Sequence, residues 1–318
     1  MASATVVLAV PADIQPLYRL ARLPLEILPF DRRRLHGDSG YRQEIAQRAG
    51  EGNFDWLILP AFNLDKATLK LSRLIPARRR IAFHGEMRGV RPWHRWLHLR
   101  GISEKIKVAD PDVHELEKYR RLLCYLGLKP EIQPPRIAPP KKHGAARNSR
   151  ANGGAHGARR MRIVLATGTV NRIKEYPHWP DVVSALNTQI NPEWVLIGGP
   201  AEKTSSDLLQ ALSPNPRDLR GKTSLEELAQ EIASADLFLG VDTGPAHLAL
   251  ALQKPTVVVL GGGDYGRFFP YGQARVVTHP MECFQCHWEC KYERALCLHD
   301  LSPKAVVREV LAALREQV

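Results

Sequence analysis

Asp242-Thr-Gly-Pro-Ala-His247 gathers a carboxylate, a hydroxyl, a bare backbone and an imidazole where an apolar run gives way to a short helix. Leu237 to Val241 carries no charge, as expected of a strand buried on both faces. Gly244 suits a tight turn that a side chain would crowd, and Pro245 has the fixed φ of a first helical position. The helix is expected from about Pro245 to Gln253, stopped by Lys254-Pro255 before a second strand, Thr256–Leu260. A helix that starts at the carboxyl end of a parallel strand aims free backbone N–H groups and its positive dipole end at a ligand crevice. This is anion-binding chemistry. The same residues also serve in an ordinary αβ connection, with Asp-Thr-Gly as turn chemistry and His247 on the helix surface.

A second set of chemical residues lies further on. Cys283-x-x-Cys286-x-x-x-Cys290 and Cys297 put four thiols within reach of one ion, with His287 and His299 as alternates. Thiolates at this spacing suit zinc or iron. Four protein ligands leave no open position, so such a metal would be structural; the alternative is four reduced thiols packing a loop. Cys124 stands alone on an apolar helix face and reads as core.

The Asp242–His247 stretch, with Lys254-Pro255, an apolar strand and Gly261-Gly-Gly263, resembles the donor-site signature of family 9 glycosyltransferases, which include bacterial ADP-heptose:lipopolysaccharide heptosyltransferases. The resemblance implies two Rossmann-like doubly wound α/β domains facing across a cleft, the GT-B arrangement, whose last helix often crosses back to the first domain. It implies a nucleotide-diphosphate sugar, with ADP-heptose foremost, and an anionic glycolipid or glycan acceptor such as lipopolysaccharide core. It also implies single displacement with inversion and no catalytic metal, the leaving diphosphate being neutralised by lysine, helix dipole and hydroxyls.

On that reading the donor is held by Thr167 and Thr169 after the strand Ile163–Ala166, by Lys174, by Glu202, and by Asp242, Thr243, Gly244 and His247. Lys174-Glu-Tyr-Pro177 occupies the place of a Lys-x-Trp-Pro-like motif, with Tyr176 where tryptophan is usual. Glu202 matches a family residue proposed to hold ribose hydroxyls. Gly261-Gly-Gly-Asp264 would let backbone approach the nucleotide. Relatives carry a similar four-cysteine segment, and some hold iron there.

One family feature is missing. Members begin with a strand and a Gly-Asp loop whose aspartate acts in the cleft, yet the first thirty residues contain no Gly-Asp. Residues 4–30 look like the family's second and third strands, so the N-terminal domain reads as shortened. Asp13 is the best-placed carboxylate to act as general base, against the plainer role of helix N-cap.

A length of 318 residues suffices for two domains, and 44% apolar with 25% charged content describes a globular chain. The expected organisation is an acceptor-side α/β domain over 1–133, a basic Pro/Gly-rich linker over 134–160, and a sugar-nucleotide domain over 161–318. From Arg136 to Arg160 there are seven Lys/Arg and no acid, the composition of an extended linker. Strands are expected at 4–10, 25–30, 54–60, 161–166, 194–197, 237–241, 256–260 and 275–278. Helical spacing runs over 41–49, 66–75 and 114–126, and Ser224–Glu227 reads as a capping box.

No apolar run approaches a bilayer span and no signal peptide is evident, so the cytoplasm is expected. A net charge of +12 favours an anionic partner: a phosphorylated glycolipid, an anionic membrane touched peripherally, or nucleic acid. Arg32–Arg34, Arg78–Arg80, and Arg88, Arg91 and Arg95 beside Trp93 and Trp96 read as an acceptor-side anion patch or as solvated surface. Two other functions compete: a donor-binding but inactive relative, and a nucleic-acid binder built on linker and cysteines. The last leaves the Asp242–Gly263 signature without a use.

Overall fold

The computed structural model describes residues 4–62, 64–85, 100–108, 110, 112–140, 160–169, 171–200, 202, 206–212 and 216–317. The chain divides into two compact units: residues 1–19 with 23–132, and residues 133–318 with 20–22. Arg88, Arg91, Trp93, Arg95, Trp96 and linker residues 141–159 lie outside the described residues.

In the first unit β1 (Val7–Pro11) runs parallel to β2 (Glu26–Phe30), in register from Val7↔Glu26 to Pro11↔Phe30. A separate parallel sheet has the order β3 (Phe54–Leu59), β4 (Ala77–Phe83), β5 (Glu104–Ile106). Helices α1 (Gln15–Leu20), α2 (Arg32–Gly37), α3 (Ser39–Gly50), α4 (Lys66–Leu74) and α5 (Glu115–Tyr125) alternate with these strands. Carboxylates start three of them: Asp31 accepts from the backbone N–H groups of Arg33 and Arg34, Asp38 from that of Tyr41, and Asp65 from that of Thr68. Leu28, Phe30, Leu35, Tyr41, Ile45, Ala49, Leu71 and Ile75 form one core, with Phe54 and Leu57 packed against it.

The arginine runs have partners inside this unit. Arg79 makes a two-pronged pair with Glu104 at 2.6 and 2.8 Å, and its guanidinium lies 4.8 Å from the Trp56 ring centroid. Arg78 faces Asp55 at 3.5 Å, Arg80 donates to the carbonyls of Ser72 and Ile75, and Arg34 pairs with Asp38 at 3.1 Å. The Arg78–Arg80 run is half of strand β4, which apolar patterning did not disclose.

The second unit carries one six-stranded sheet, all parallel, in the order β11-β10-β9-β6-β7-β8. Its strands are β6 (Arg162–Ala166), β7 (Glu193–Leu196), β8 (Arg217–Asp218), β9 (Leu237–Val241), β10 (Thr256–Val259) and β11 (Ala274–Val277). Its helices are α6 (Trp179–Ile190), α7 (Ser206–Ala211), α8 (Leu225–Ala233), α9 (Gly244–Ala251), α10 (Leu296–His299) and α11 (Pro303–Arg315). All five residues of β9 are buried, as an uncharged central strand should be. The capping box is complete: the Glu227 N–H donates to Ser224 Oγ at 3.2 Å, and the Ser224 N–H to Glu227 Oε2 at 2.8 Å.

Helix α11 buries Val306, Val307, Val310, Ala313 and Leu314 in the second unit's own core. Each buried Val or Leu contributes about 1.5–3 kcal/mol relative to exposure, which fixes the helix on that sheet. The linker's first residues are also held in this unit, where the Ile137 N–H donates to the Ala251 carbonyl at 2.9 Å. Among the described residues no helix is long and apolar enough to cross a membrane.

Candidate functional site

In the second sheet β6 has β7 on one side and β9 on the other. The connections leave β6 in opposite directions there, so the loops at the carboxyl ends splay apart and open a crevice. Ala166 and Gly240 are register partners across β6 and β9, which sets the loops after both strands side by side. Thr167, Gly168 and Thr169 follow β6 and are partly exposed. Thr169 Oγ1 accepts from the Asn171 N–H at 3.3 Å, closing a small turn that leads into a 3₁₀ turn at Arg172–Lys174.

Glu202, from the loop after β7, lies directly over this turn. A Cβ on Gly168 would stand 1.6 Å from its Oε2, and one on Gly198 would stand 2.1 Å away. The Gly199 N–H donates to Oε1 at 2.8 Å and fixes the carboxylate in place. Two bare glycines thus make the space for one acidic side chain. The structure brings Glu202 and the Thr167–Thr169 loop together as a single surface.

After β9, Thr243 caps α9 through its position alone, because its hydroxyl donates back to the Val241 carbonyl at 3.3 Å. Pro245 has no N–H and the Ala246 and His247 N–H groups donate to the Thr243 carbonyl at 3.0 and 3.4 Å, so the Gly244 N–H is the open donor at this helix start among the described residues. Gly244 is the first helical residue and Pro245 the second. A Cβ at 244 would meet nothing within 4 Å, so the turn does not require glycine. Its bareness leaves the helix N-terminus uncovered.

His247 Nε2 faces Asp242 Oδ1 at 3.3 Å, and Nδ1 lies 2.9 Å from the Tyr271 hydroxyl. Burial first, and the Asp242 charge second, push the Tyr271 phenol up to about 12. A protonated phenol donates to Nδ1, which in a neutral imidazole puts the ring proton on Nε2, toward Asp242. Phe269 stacks on the imidazole with centroids 4.6 Å apart. Sequence reasoning missed Phe269 and Tyr271, which lie beyond the next strand and carry no motif.

Lys174 faces Asp264, with Nζ donating to Oδ2 at 3.1 Å. The same oxygen accepts the Trp288 indole N–H at 2.6 Å, and the ammonium lies 4.6 Å from a Trp288 ring centroid. Burial works to raise the Asp264 carboxyl, but Trp288, Lys174 and Arg267 together hold it below the usual carboxylate range. The glycine triplet before Asp264 has a different use from the one expected. Cβ atoms on Gly261 and Gly263 would meet the Trp288 ring at 2.6 and 2.4 Å, and one on Gly262 would meet Phe284 at 2.3 Å. The triplet is bare so that aromatic rings of the thiol segment can pack on it. Tyr176 is core: its hydroxyl donates to the Leu301 carbonyl at 3.0 Å, and its ring meets Trp179 edge-on.

All five cysteines are free thiols. Cys297 Sγ accepts the Gly262 N–H at 3.3 Å, and Cys290 Sγ donates to the Arg294 carbonyl at 3.7 Å. Burial, with the charges of Cys283, Cys286 and Cys290 behind it, pushes the Cys297 thiol up. The donor set is chemically right for a soft metal. Among the described residues, however, no group of three or more His, Cys, Asp or Glu side chains is gathered as a metal would need. Cys124 is exposed rather than core, 3.7 Å from Arg120. Asp13 is exposed in the turn after β1, before α1 begins at Gln15, and caps no helix.

The strand order and the loops at its carboxyl edge define a doubly wound α/β protein of the Rossmann type. The chain belongs to glycosyltransferase family 9 (heptosyltransferase), whose profile matches residues 42–296. Lipooligosaccharide heptosyltransferase 2 of Campylobacter jejuni subsp. jejuni serotype O:6 is 28% identical over 134 residues, 40% of this chain and 42% of that protein. The chain spans under half the length of the curated relatives it matches.

Two solved structures share the fold. The glycosyl transferase family 9 structure from Veillonella parvula DSM 2008 has a TM-score of 0.73 at 18% identity, covering 98% of this chain and 89% of that one. The E. coli heptosyltransferase WaaC with ADP-2-deoxy-2-fluoro heptose has a TM-score of 0.61 at 19% identity, covering 96% and 88%. At these identities the likeness speaks for the fold alone, the two-domain α/β GT-B class expected from the sequence.

Proposed function

We propose that this chain binds a nucleotide-diphosphate sugar, ADP-heptose, at the carboxyl edge of the second sheet. It transfers the heptose with inversion to a lipopolysaccharide core or a related glycan or protein acceptor. The observation that carries this reading is the convergence of loops after β6, β7, β9 and β10: Glu202 rests on Gly168, Lys174 reaches Asp264, and Gly240 pairs with Ala166. Family membership supports a sugar-nucleotide donor, and the WaaC structure named with ADP-2-deoxy-2-fluoro heptose motivates the choice of ADP-heptose.

In this account the open N-terminus of α9 and Lys174 neutralise the diphosphate as its leaving charge develops. Glu202 and the hydroxyls of Thr167 and Thr169 hold the ribose. Asp242 and Tyr271 hold the His247 ring, with Nε2 facing Asp242. The chemistry needs no divalent cation. A zinc or iron ion on Cys283, Cys286, Cys290 and Cys297 would have a structural role, and the chemistry of the four thiols is what supports it. The protein works in the cytoplasm, touching an anionic membrane peripherally through its positive charge.

Asp13 is proposed as general base on the acceptor hydroxyl. A second reading, donor binding without turnover, is favoured by its exposure and by the lack of any hydrogen bond to its carboxylate among the described residues. A turnover assay with ADP-heptose and heptose-free lipopolysaccharide core, run on wild type and Asp13→Asn, tests both. Transfer by wild type that falls about 10²–10⁴-fold in Asp13→Asn supports the enzyme reading. No transfer by either form supports the inactive relative.

A further inference from the structure

The thiol-bearing segment touches the proposed donor site through one side chain. Trp288 lies between Cys286 and Cys290, and its indole N–H ends on the same Asp264 oxygen that holds Lys174. The segment is stitched to the end of β10: the Gln285 N–H donates to the Gly262 carbonyl at 2.7 Å, and the His287 N–H to the Gly263 carbonyl at 2.9 Å. Gln285, His287 and Trp288 take left-handed φ values of 66, 52 and 65°, a region that side chains other than glycine's rarely enter. Three such residues in one short loop persist only where the surroundings over-determine the backbone. The result of that backbone is an indole seated on a bare glycine triplet with its N–H aimed at Asp264.

We propose that Asp264 and Trp288 are positioning residues for Lys174, and that the thiol segment thereby forms a wall of the donor site. This rests on the donor reading given above. A lysine on four rotatable bonds loses much conformational freedom when a ligand fixes it. Here the carboxylate holds the ammonium through one of its three N–H donors, and the ring stands beside it. The remaining donors are left for a diphosphate.

A carboxylate facing a lysine could instead cancel it. Two features work against that outcome. The indole N–H draws on the same oxygen, and Arg267 lowers the Asp264 carboxyl through its own positive charge. The oxygen that meets Lys174 is thus shared with the indole N–H, so the lysine is steered rather than silenced.

The experiment is calorimetric titration of the full chain with ADP and with adenosine, on wild type, Asp264→Asn, Trp288→Phe and Lys174→Ala, and on both substitutions placed in Lys174→Ala. Each single change should weaken ADP binding about tenfold, in the range of a lost charge-assisted hydrogen bond, while adenosine binding stays as in wild type. In Lys174→Ala neither should weaken ADP further. Should Asp264→Asn fail to fold, Trp288→Phe, which removes the indole N–H and leaves a smaller aromatic ring, carries the test. Unchanged or tighter ADP binding in Asp264→Asn and Trp288→Phe, with the Lys174→Ala loss intact, overturns the proposal. Equal losses for ADP and adenosine, or losses that persist without Lys174, also overturn it, because the effect would not run through the lysine. Wild type that binds no ADP sinks the donor reading, and this inference with it.

Discussion

The Glu202 carboxylate occupies the volume that a side chain on Gly168 would fill, with Oε2 only 1.6 Å from where a Cβ would stand. Backbone after β6 and an acidic side chain after β7 are therefore one element of the site. Gly168→Ala should evict the carboxylate and strip the Gly199 N–H of its partner at 2.8 Å. If Glu202 holds the ribose, this variant loses affinity for adenosine by about tenfold and keeps its affinity for adenine. Equal titration curves for adenosine in both proteins would remove Glu202 from the ribose.

Tyr271→Phe tests the imidazole. It deletes the hydroxyl 2.9 Å from His247 Nδ1 but leaves the ring stack on Phe269. Without that donor the Nε2–H tautomer is no longer fixed. ADP binding should weaken about threefold to tenfold, the size of a net hydrogen bond, with the melting temperature little changed. Titration showing no loss would make His247 a surface residue of α9.

The centre of the second sheet was legible because β9 and β10 are short uncharged runs ended by turn chemistry. Leu237–Val241 and the Ser224–Glu227 capping box needed no tertiary information. β4 was hidden because its first half is three arginines. They face Asp55, Glu104 and backbone carbonyls on neighbouring elements, and a linear pattern does not display those partners. The glycine triplet shows a similar limit. Its composition announces a close approach, but only the packed rings of Phe284 and Trp288 say what approaches. Asp264 and Trp288 lie 24 residues apart in two separate motifs, and neither motif discloses that their side chains meet.

The Arg79–Glu104 pair makes a prediction about acid. Arg79 first, and the Tyr125 hydroxyl second, lower the Glu104 carboxyl from its ordinary 4.5 to about 2. A depressed folded-state value means stabilisation that is complete above pH 4.5 and lost as pH falls toward 2. Glu104→Gln should melt below wild type at pH 7, and the difference should shrink through that window. A difference independent of pH would assign the effect to packing against Tyr125 instead.

The thiol segment gives a prediction of composition. Protein purified without chelator should carry about one zinc or iron per chain, and Cys286→Ser should release it and lower the melting temperature. Elemental analysis that finds neither metal would leave the four sulfurs as packing for Trp288 and Phe284.

The central claim is that Lys174, on the turn after β6, meets the diphosphate of a nucleotide-sugar donor. Calorimetric titration of wild type and Lys174→Ala with ADP tests it most directly. Binding by wild type that weakens about tenfold to a hundredfold in Lys174→Ala is the predicted result, matching the loss of a charge-assisted contact. Equal affinity in the two proteins, or no binding by wild type, would contradict it.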